Sequence, residues 1–323
     1  MKWILPIALL CLVTLATGCK KDDESDAVPD EDLSAFGQNN GWTTTLNDEV
    51  QFSMASAPGN FFRSYKPNGG IYRFGRSTDD GASWTSWVLP HSNSEMLFVD
   101  ALLGLSRASN IARRTQDGGH TWNELPLDPG RMRAVPGTNR MFGFLYNSTY
   151  FTEDLGATWA DAGSSGPGNV VFDMHFVNSD TGYAALYGGT LRRSTDGGLN
   201  WVTLLDLGGH FKKVVHRNGL DGVALHKPND GVVNLLHTTD SWNTYSTTSV
   251  GSAIGETEFL WEDANGTLYA GSGLFLHRST DNGTTWSVDL RAPIGNSVGG
   301  ITRSGDELWV WCSTGFAHKT VPL

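Results

Sequence analysis

Cysteine is nearly missing from this chain, with three among 323 residues, at Cys11, Cys19 and Cys312. Two of them fall within the first nineteen residues, so Cys312 stands alone in the body and no disulfide framework can hold it. Trp309 and Trp311 flank it, which predicts a buried apolar thiol and not a reactive one. Charge is also sparse: 18% of residues are charged, against about 25% in ordinary globular domains. The balance is acidic, −11 overall, with Lys and Arg scattered; nucleic-acid binding is therefore not expected. Beyond residues 4–13 no apolar run approaches the length of a membrane span. The nine histidines are dispersed without His-x-x-x-His spacing, and Cys-x-x-Cys is absent, so neither a metal nor a cofactor is predicted. Gly69-Gly70 and Gly188-Gly189 are turns and not phosphate loops, because no helical pattern follows them. His210 and His216, close to Lys212 and Lys213, suggest a solvated strand edge.

What the chain does have is glycine, 39 residues, and tryptophan, 12 residues. Both recur in a repeat of the form Ser/Thr-x-Asp-x-Gly-x-Ser/Thr-Trp. It runs Ser77 to Trp84, Thr115 to Trp122, Thr152 to Trp159 and Ser279 to Trp286. Ser194 to Trp201 replaces the penultimate hydroxyl by Asn200, and Thr238 to Tyr245 is a worn copy. The aspartates Asp79, Asp117, Asp154, Asp196, Asp240 and Asp281 stand 37 to 44 residues apart. That interval accommodates four short strands with their turns, one blade of a propeller. The Asp carboxylate can bind backbone amides of its own turn, the Gly permits positive φ, and the Trp covers the hairpin. These six aspartates are accordingly assigned a structural role, on the hairpin between third and fourth strands.

Six boxes make six blades and leave two remnants. Residues 298–303, 307–312 and 316–321 look like three strands without a box. Residues 41–46 look like an outermost strand with nothing before it, and Trp42 takes the place of a box tryptophan. The remnants complete one another, which predicts an all-β, single seven-bladed β-propeller of four-stranded antiparallel blades. It would be closed by the N-terminal strand, an arrangement that removes exposed edges. Six blades is the alternative.

The N-terminus carries Lys2, the apolar run and then Leu15-Ala16-Thr17-Gly18-Cys19. This order resembles a bacterial lipobox, which implies lipidation of Cys19 after removal of a signal peptide, residues 1–18. The usual leucine is one place out of position, and cleavage near Ala16 or Gly18 is the alternative. Lys20-Lys21-Asp22-Asp23-Glu24-Ser25-Asp26 resembles the surface-export signal of lipoproteins in Bacteroidetes-type bacteria, and can equally be a solvated tether. Residues 19–40 are expected to be an acidic flexible tether and 41–323 the propeller. The implied location is the cell envelope, lipid-anchored at the outer membrane and open to surface exposure.

The repeat Met174 to Tyr183 followed by Ser194 to Trp201, echoed by Leu97 to Gly104 before Arg114 to Trp122, resembles the photosystem II assembly/stability factor-like family. Sialidases, xyloglucan-degrading hydrolases and sortilin-type receptors share the box more distantly. The resemblance implies a cofactor-free, monomeric propeller that helps assemble an envelope or secreted partner, without implying photosynthesis. In that family an arginine patch on one face is implicated in partner binding. Here Arg76, Arg114, Arg193 and Arg278 each precede a box, while Phe151 and His237 take that place in two blades. A fork of this type suits carboxylates, although a structural role repeated in every blade would also place it there. Two alternatives to a binding protein remain: a carbohydrate-binding surface lipoprotein and a sialidase-like glycoside hydrolase. The second lacks the Phe/Tyr-Arg-Ile-Pro segment, for which Phe62-Arg63-Ser64-Tyr65 is the nearest candidate. An arginine triad could be drawn only from Arg63, Arg131, Arg217, Arg291 and Arg303.

Overall fold

The computed structural model describes residues 36–322, apart from 38, 47, 48, 164, 165, 169, 251–253, 255, 256, 258 and 264. The expected signal peptide, Cys19 and residues 20–35 of the expected tether lie outside the described residues. Seven four-stranded antiparallel sheets make up the body, so the ring has seven blades and not six. The first strands of blades I to VII are Glu49–Ala57, Glu95–Phe98, Arg131–Ala134, Val171–Phe176, His210–His216, Phe259–Glu262 and Val298–Ser304. Each neighbours the next and the seventh neighbours the first, so together they line a closed central channel.

Blade IV shows how sequence becomes layer. Its second strand, Gly182–Leu186, is buried at every position because neighbouring blades cover both of its faces. Its outermost strand, Val202–Asp206, is exposed or half-buried throughout. The apolar cores accordingly lie between blades. Phe62 of blade I stacks on Phe98 of blade II at 3.6 Å, and Phe142 of blade III on Phe176 of blade IV at 5.4 Å. Cys312 is buried in the seam of blades VI and VII, where desolvation pushes its thiol pKa up.

Closure occurs as the remnants imply. Thr43–Leu46 is the outermost strand of blade VII and pairs antiparallel with Gly315–Thr320, from Thr43↔His318 to Leu46↔Gly315. Trp42 departs from the box tryptophans: it is 3% exposed, and its Nε1 donates to Asp289 Oδ2 at 2.8 Å, in blade VI. The chain engages the ring still earlier, because Gly37 and Arg291 exchange both backbone hydrogen bonds, at 3.0 and 2.8 Å. One expectation fails. His210–His216 is no solvated edge but the innermost strand of blade V, with Lys213 8% and His216 3% exposed. The failure has a physical cause: the register shifts between Phe211 and Lys213, so strict alternation misplaces every residue after the bulge.

Candidate functional site

Antiparallel blades bring the first–second and third–fourth turns to one end of the ring, the box end, and the second–third turns to the other. At the box end all six aspartates do the same work. Each accepts the hydroxyl two residues before it at 2.6–2.9 Å and the amide four residues after it at 2.8–2.9 Å. The second carboxylate oxygen takes the side chain four residues on, as Asp117 takes Thr121 at 2.6 Å. Bonds from Ser83 and Ser77 lower Asp79 to about 2, and those from Thr285 and Ser279 do the same for Asp281. At Asp154 burial pushes the other way, and bonds from Thr152 and Thr158 still bring it to about 2. A carboxylate so occupied is a turn clamp and a poor general acid. The box glycine has a further duty that periodicity alone does not disclose. A Cβ on Gly119 would fall 2.5 Å from Phe74, and one on Gly198 2.4 Å from Phe142, each in the preceding blade.

The four box-preceding arginines each sit one residue before the box and pair with the second strand of their blade, opposite its second residue in blades II, IV and VI and its third in blade I: Arg76↔Phe62, Arg114↔Leu105, Arg193↔Tyr183, Arg278↔Tyr269. All four are half-buried, and they split into pairs. Arg76 Nε donates to Asn60 at 2.9 Å, and Arg114 Nε reaches the Leu155 carbonyl in the next blade's box at 3.0 Å. Arg193 and Arg278 contact the phenols of Tyr183 and Tyr269, and each retains an Nε without a hydrogen-bond partner. The five arginines considered for a triad come from blades I, III, V, VI and VII and are engaged separately. Arg63 binds Glu49 at 3.1 Å under Tyr65 and Trp84, Arg217 binds Asp221, Arg291 is buried, and Arg303 holds the Gly305 carbonyl. Arg131 alone of the five is exposed, at the other end of the channel.

The channel encloses about 450 Å³ and is lined by polar groups that sequence reasoning had not grouped: Glu95, Arg131, Arg133, Asp173 and Lys213. Arg133 crosses between blades to Asp173 at 2.9 Å. At the end opposite the boxes a cleft of about 310 Å³ lies among blades II, III and IV, lined by Arg107, Asn110, Arg131, Tyr146 and Phe172. Tyr146 is 78% exposed at φ 51°, and a bulge leaves Phe172 out of the ladder. Neither feature was legible in the sequence, since a bulge and a left-handed turn residue carry no periodic signal. Among the described residues no group of three His, Cys, Asp or Glu could hold a metal ion.

No family model matches the chain. In an alignment 164 residues long, which covers 45% of this chain and 17% of the enzyme, it is 30% identical to the xyloglucanase Xgh74A of Acetivibrio thermocellus. Among solved structures, YCF48 bound to D1 peptide superposes with a TM-score of 0.62 at 18% identity, over 88% of this chain and 98% of the other. YCF48 from Cyanidioschyzon merolae gives 0.60 at 17% identity, over 87% and 98%. The GH74 xyloglucanase from Xanthomonas campestris gives 0.58 at 15% identity, over 81% and 51%. What these structures share with the chain is the β-propeller fold.

Proposed function

We propose that the chain is a non-catalytic, lipid-anchored binding propeller of the bacterial cell envelope, which holds a segment of an envelope or secreted protein at its box end. One observation carries the reading: Arg193 and Arg278, at matching positions of blades IV and VI, each keep a guanidinium Nε without a partner. A carboxylate engages two N–H groups of one guanidinium at once, so a partner acid that draws either half-buried side chain outward would satisfy its buried Nε together with a terminal nitrogen. Two facts support it. The recurrent acids of the chain are consumed by their own turns, and a solved structure of the same fold is described as bound to a peptide. Cys19 as lipid attachment site and residues 19–40 as tether would keep the propeller near its membrane.

The test is affinity purification of the tagged full-length lipoprotein from lightly crosslinked native cells. An Arg193→Glu/Arg278→Glu variant with an unchanged melting curve is carried through in parallel. Arg76 and Arg114 stay untouched, because they bind neighbouring elements of the ring. A reproducible envelope or secreted partner, lost in the variant, is the expected outcome; a variant that keeps every partner would sink the arginine site. Capture of no protein would favour carbohydrate binding. That second reading draws on the cleft with Tyr146, Phe172 and Arg131 and on the likeness to xyloglucanases.

A further inference from the structure

The channel continues toward the box end into a second cavity of about 250 Å³, which shares Arg133, Asp173, Phe259, Leu260 and Ile301 with the main one. Glu262, the last residue of blade VI's first strand, lines it. Its side chain is 5% exposed, and Oε2 has no hydrogen-bond partner. Oε1 lies 3.8 Å from Arg217 Nε, too far for a hydrogen bond, and Arg217 binds Asp221 at 3.1 Å. A buried carboxyl oxygen left without a partner costs stability unless something else meets it. Burial raises Glu262 to about 7; Arg217 opposes the rise, and Asp221 and Asp263 add to it.

The rest of the lining says what could meet it. His175 Nε2 lies 2.8 Å from the His216 carbonyl, which can only accept. The proton therefore sits on Nε2, and Nδ1 of this ring, kept neutral by burial, is an acceptor. Arg133 spends its nitrogens on the carbonyls of Met132 and Met174 and on Asp173. Glu262 Oε2 and His175 Nδ1 are thus the acceptors left open, in a cavity whose wall also includes the aromatic residues Phe259 and Trp261. A cation carrying its own N–H donors on a slender apolar stem matches both the acceptors and the rings.

We propose that this cavity is a binding site for one alkylammonium group, received by Glu262 and His175 and entered along the central channel. The group can belong to a free amine or to a lysine side chain of another protein. The site does not depend on the box-end arginines or on the partner proposed for them.

Calorimetric titration of the mature protein with n-butylammonium and with Nα-acetyl-lysine N-methylamide tests this. Saturable binding is expected, tightening from pH 6 to pH 8 as Glu262 ionises and falling about tenfold or more in Glu262→Gln. Binding of butylammonium alone identifies free amines as the source, and binding of the capped lysine identifies a protein side chain. Should E262Q not fold, His175→Gln serves instead, since its amide can still donate to the His216 carbonyl while Nδ1 is lost. Failure of both probes to saturate, affinity unchanged in the variants, or a soaked crystal with only water against Glu262 would each overturn the proposal.

Discussion

At position 242 the repeat departs from its own pattern. A box glycine supplies a positive φ, an amide for the first hydroxyl and the absence of a Cβ against the preceding blade. Trp242 keeps two of these properties: its φ is 71°, and its amide donates to Thr238 Oγ1 at 2.9 Å. The third is replaced by packing, for the indole Nε1 donates to His216 Nε2 at 2.7 Å while Tyr183 stacks on the same imidazole at 3.5 Å. An indole N–H only donates, so His216 Nε2 accepts, and Nδ1 must carry the proton facing the Asn218 carbonyl at 3.1 Å. Burial is the main cause that lowers His216 to about 3, and His175 nearby adds to it. Above the ordinary histidine value of about 6.5 the ring is neutral both folded and unfolded. Below it the unfolded chain takes a proton that the fold refuses until about 3, so stability falls as pH drops through this window. His175 and His277 shift in the same direction and share the slope. The box carboxylates Asp79, Asp154 and Asp281, held near 2, remain ionised in the fold through most of it. Glu262, held near 7, acts the other way, because the fold takes up its proton before the unfolded chain does and gains stability as pH falls toward the ordinary carboxyl value. Melting curves should therefore decline chiefly between about pH 6.5 and 4.5, where the buried histidines outweigh this one carboxyl, and His216→Gln should flatten part of that decline while lowering stability at pH 7.5. An identical slope in the variant would mean that other groups govern acid sensitivity.

At the scale of the strand, much was legible and some was not. The boxes counted six blades because each is a local turn whose hydroxyl, carboxylate and glycine are contiguous in sequence. The seventh blade followed from strand arithmetic, and the pairing of Thr43 with His318 agrees with it. Illegible were the bulges in the first strands of blades I, IV, V and VII, which leave Phe52, Phe172, Lys212 and Gly299 out of register. These first strands line the channel, so the side chains that make up its wall are the ones period-two reasoning places worst. Trp42 stands at the head of its strand, in the position of a box tryptophan, but what it packs against was not legible. Trp201 caps its own hairpin through the Gly198 carbonyl at 2.9 Å and stays half-buried, whereas Trp42 is buried against blade VI and Asp289. Trp42→Ala removes a large buried side chain and leaves the Asp289 carboxylate, 3% exposed, without its indole donor. The expected cost is about 3–5 kcal/mol, as for buried Trp→Ala changes generally, and it should exceed that of Trp201→Ala in chemical denaturation. Equal costs would show that Trp42 is merely one more box tryptophan.

For the molecule as a whole, the closing pair is the costliest contact to bring together. Thr44 and Ala317 are Cα partners across nearly the whole described chain, whereas every other sheet joins neighbours in sequence. Loop-closure entropy grows as (3/2)RT ln n, so joining ends some 270 residues apart costs about 4 kcal/mol more than closing a four-residue hairpin. Blades that each fold around local turns need not wait for that step, and the closure should form after the folding barrier. Interactions absent from the transition state act on unfolding and leave refolding nearly unchanged. A disulfide between Thr44→Cys and Ala317→Cys, whose Cα atoms are paired in the sheet, tests this order. If closure comes late, the staple raises the unfolded chain and the barrier together, so unfolding should slow by about tenfold or more. Refolding of the oxidised protein should then match that of the reduced one in stopped-flow measurements. The opposite pattern, faster refolding with unfolding unaltered, would place the ends together at the barrier and make closure the nucleus of the ring.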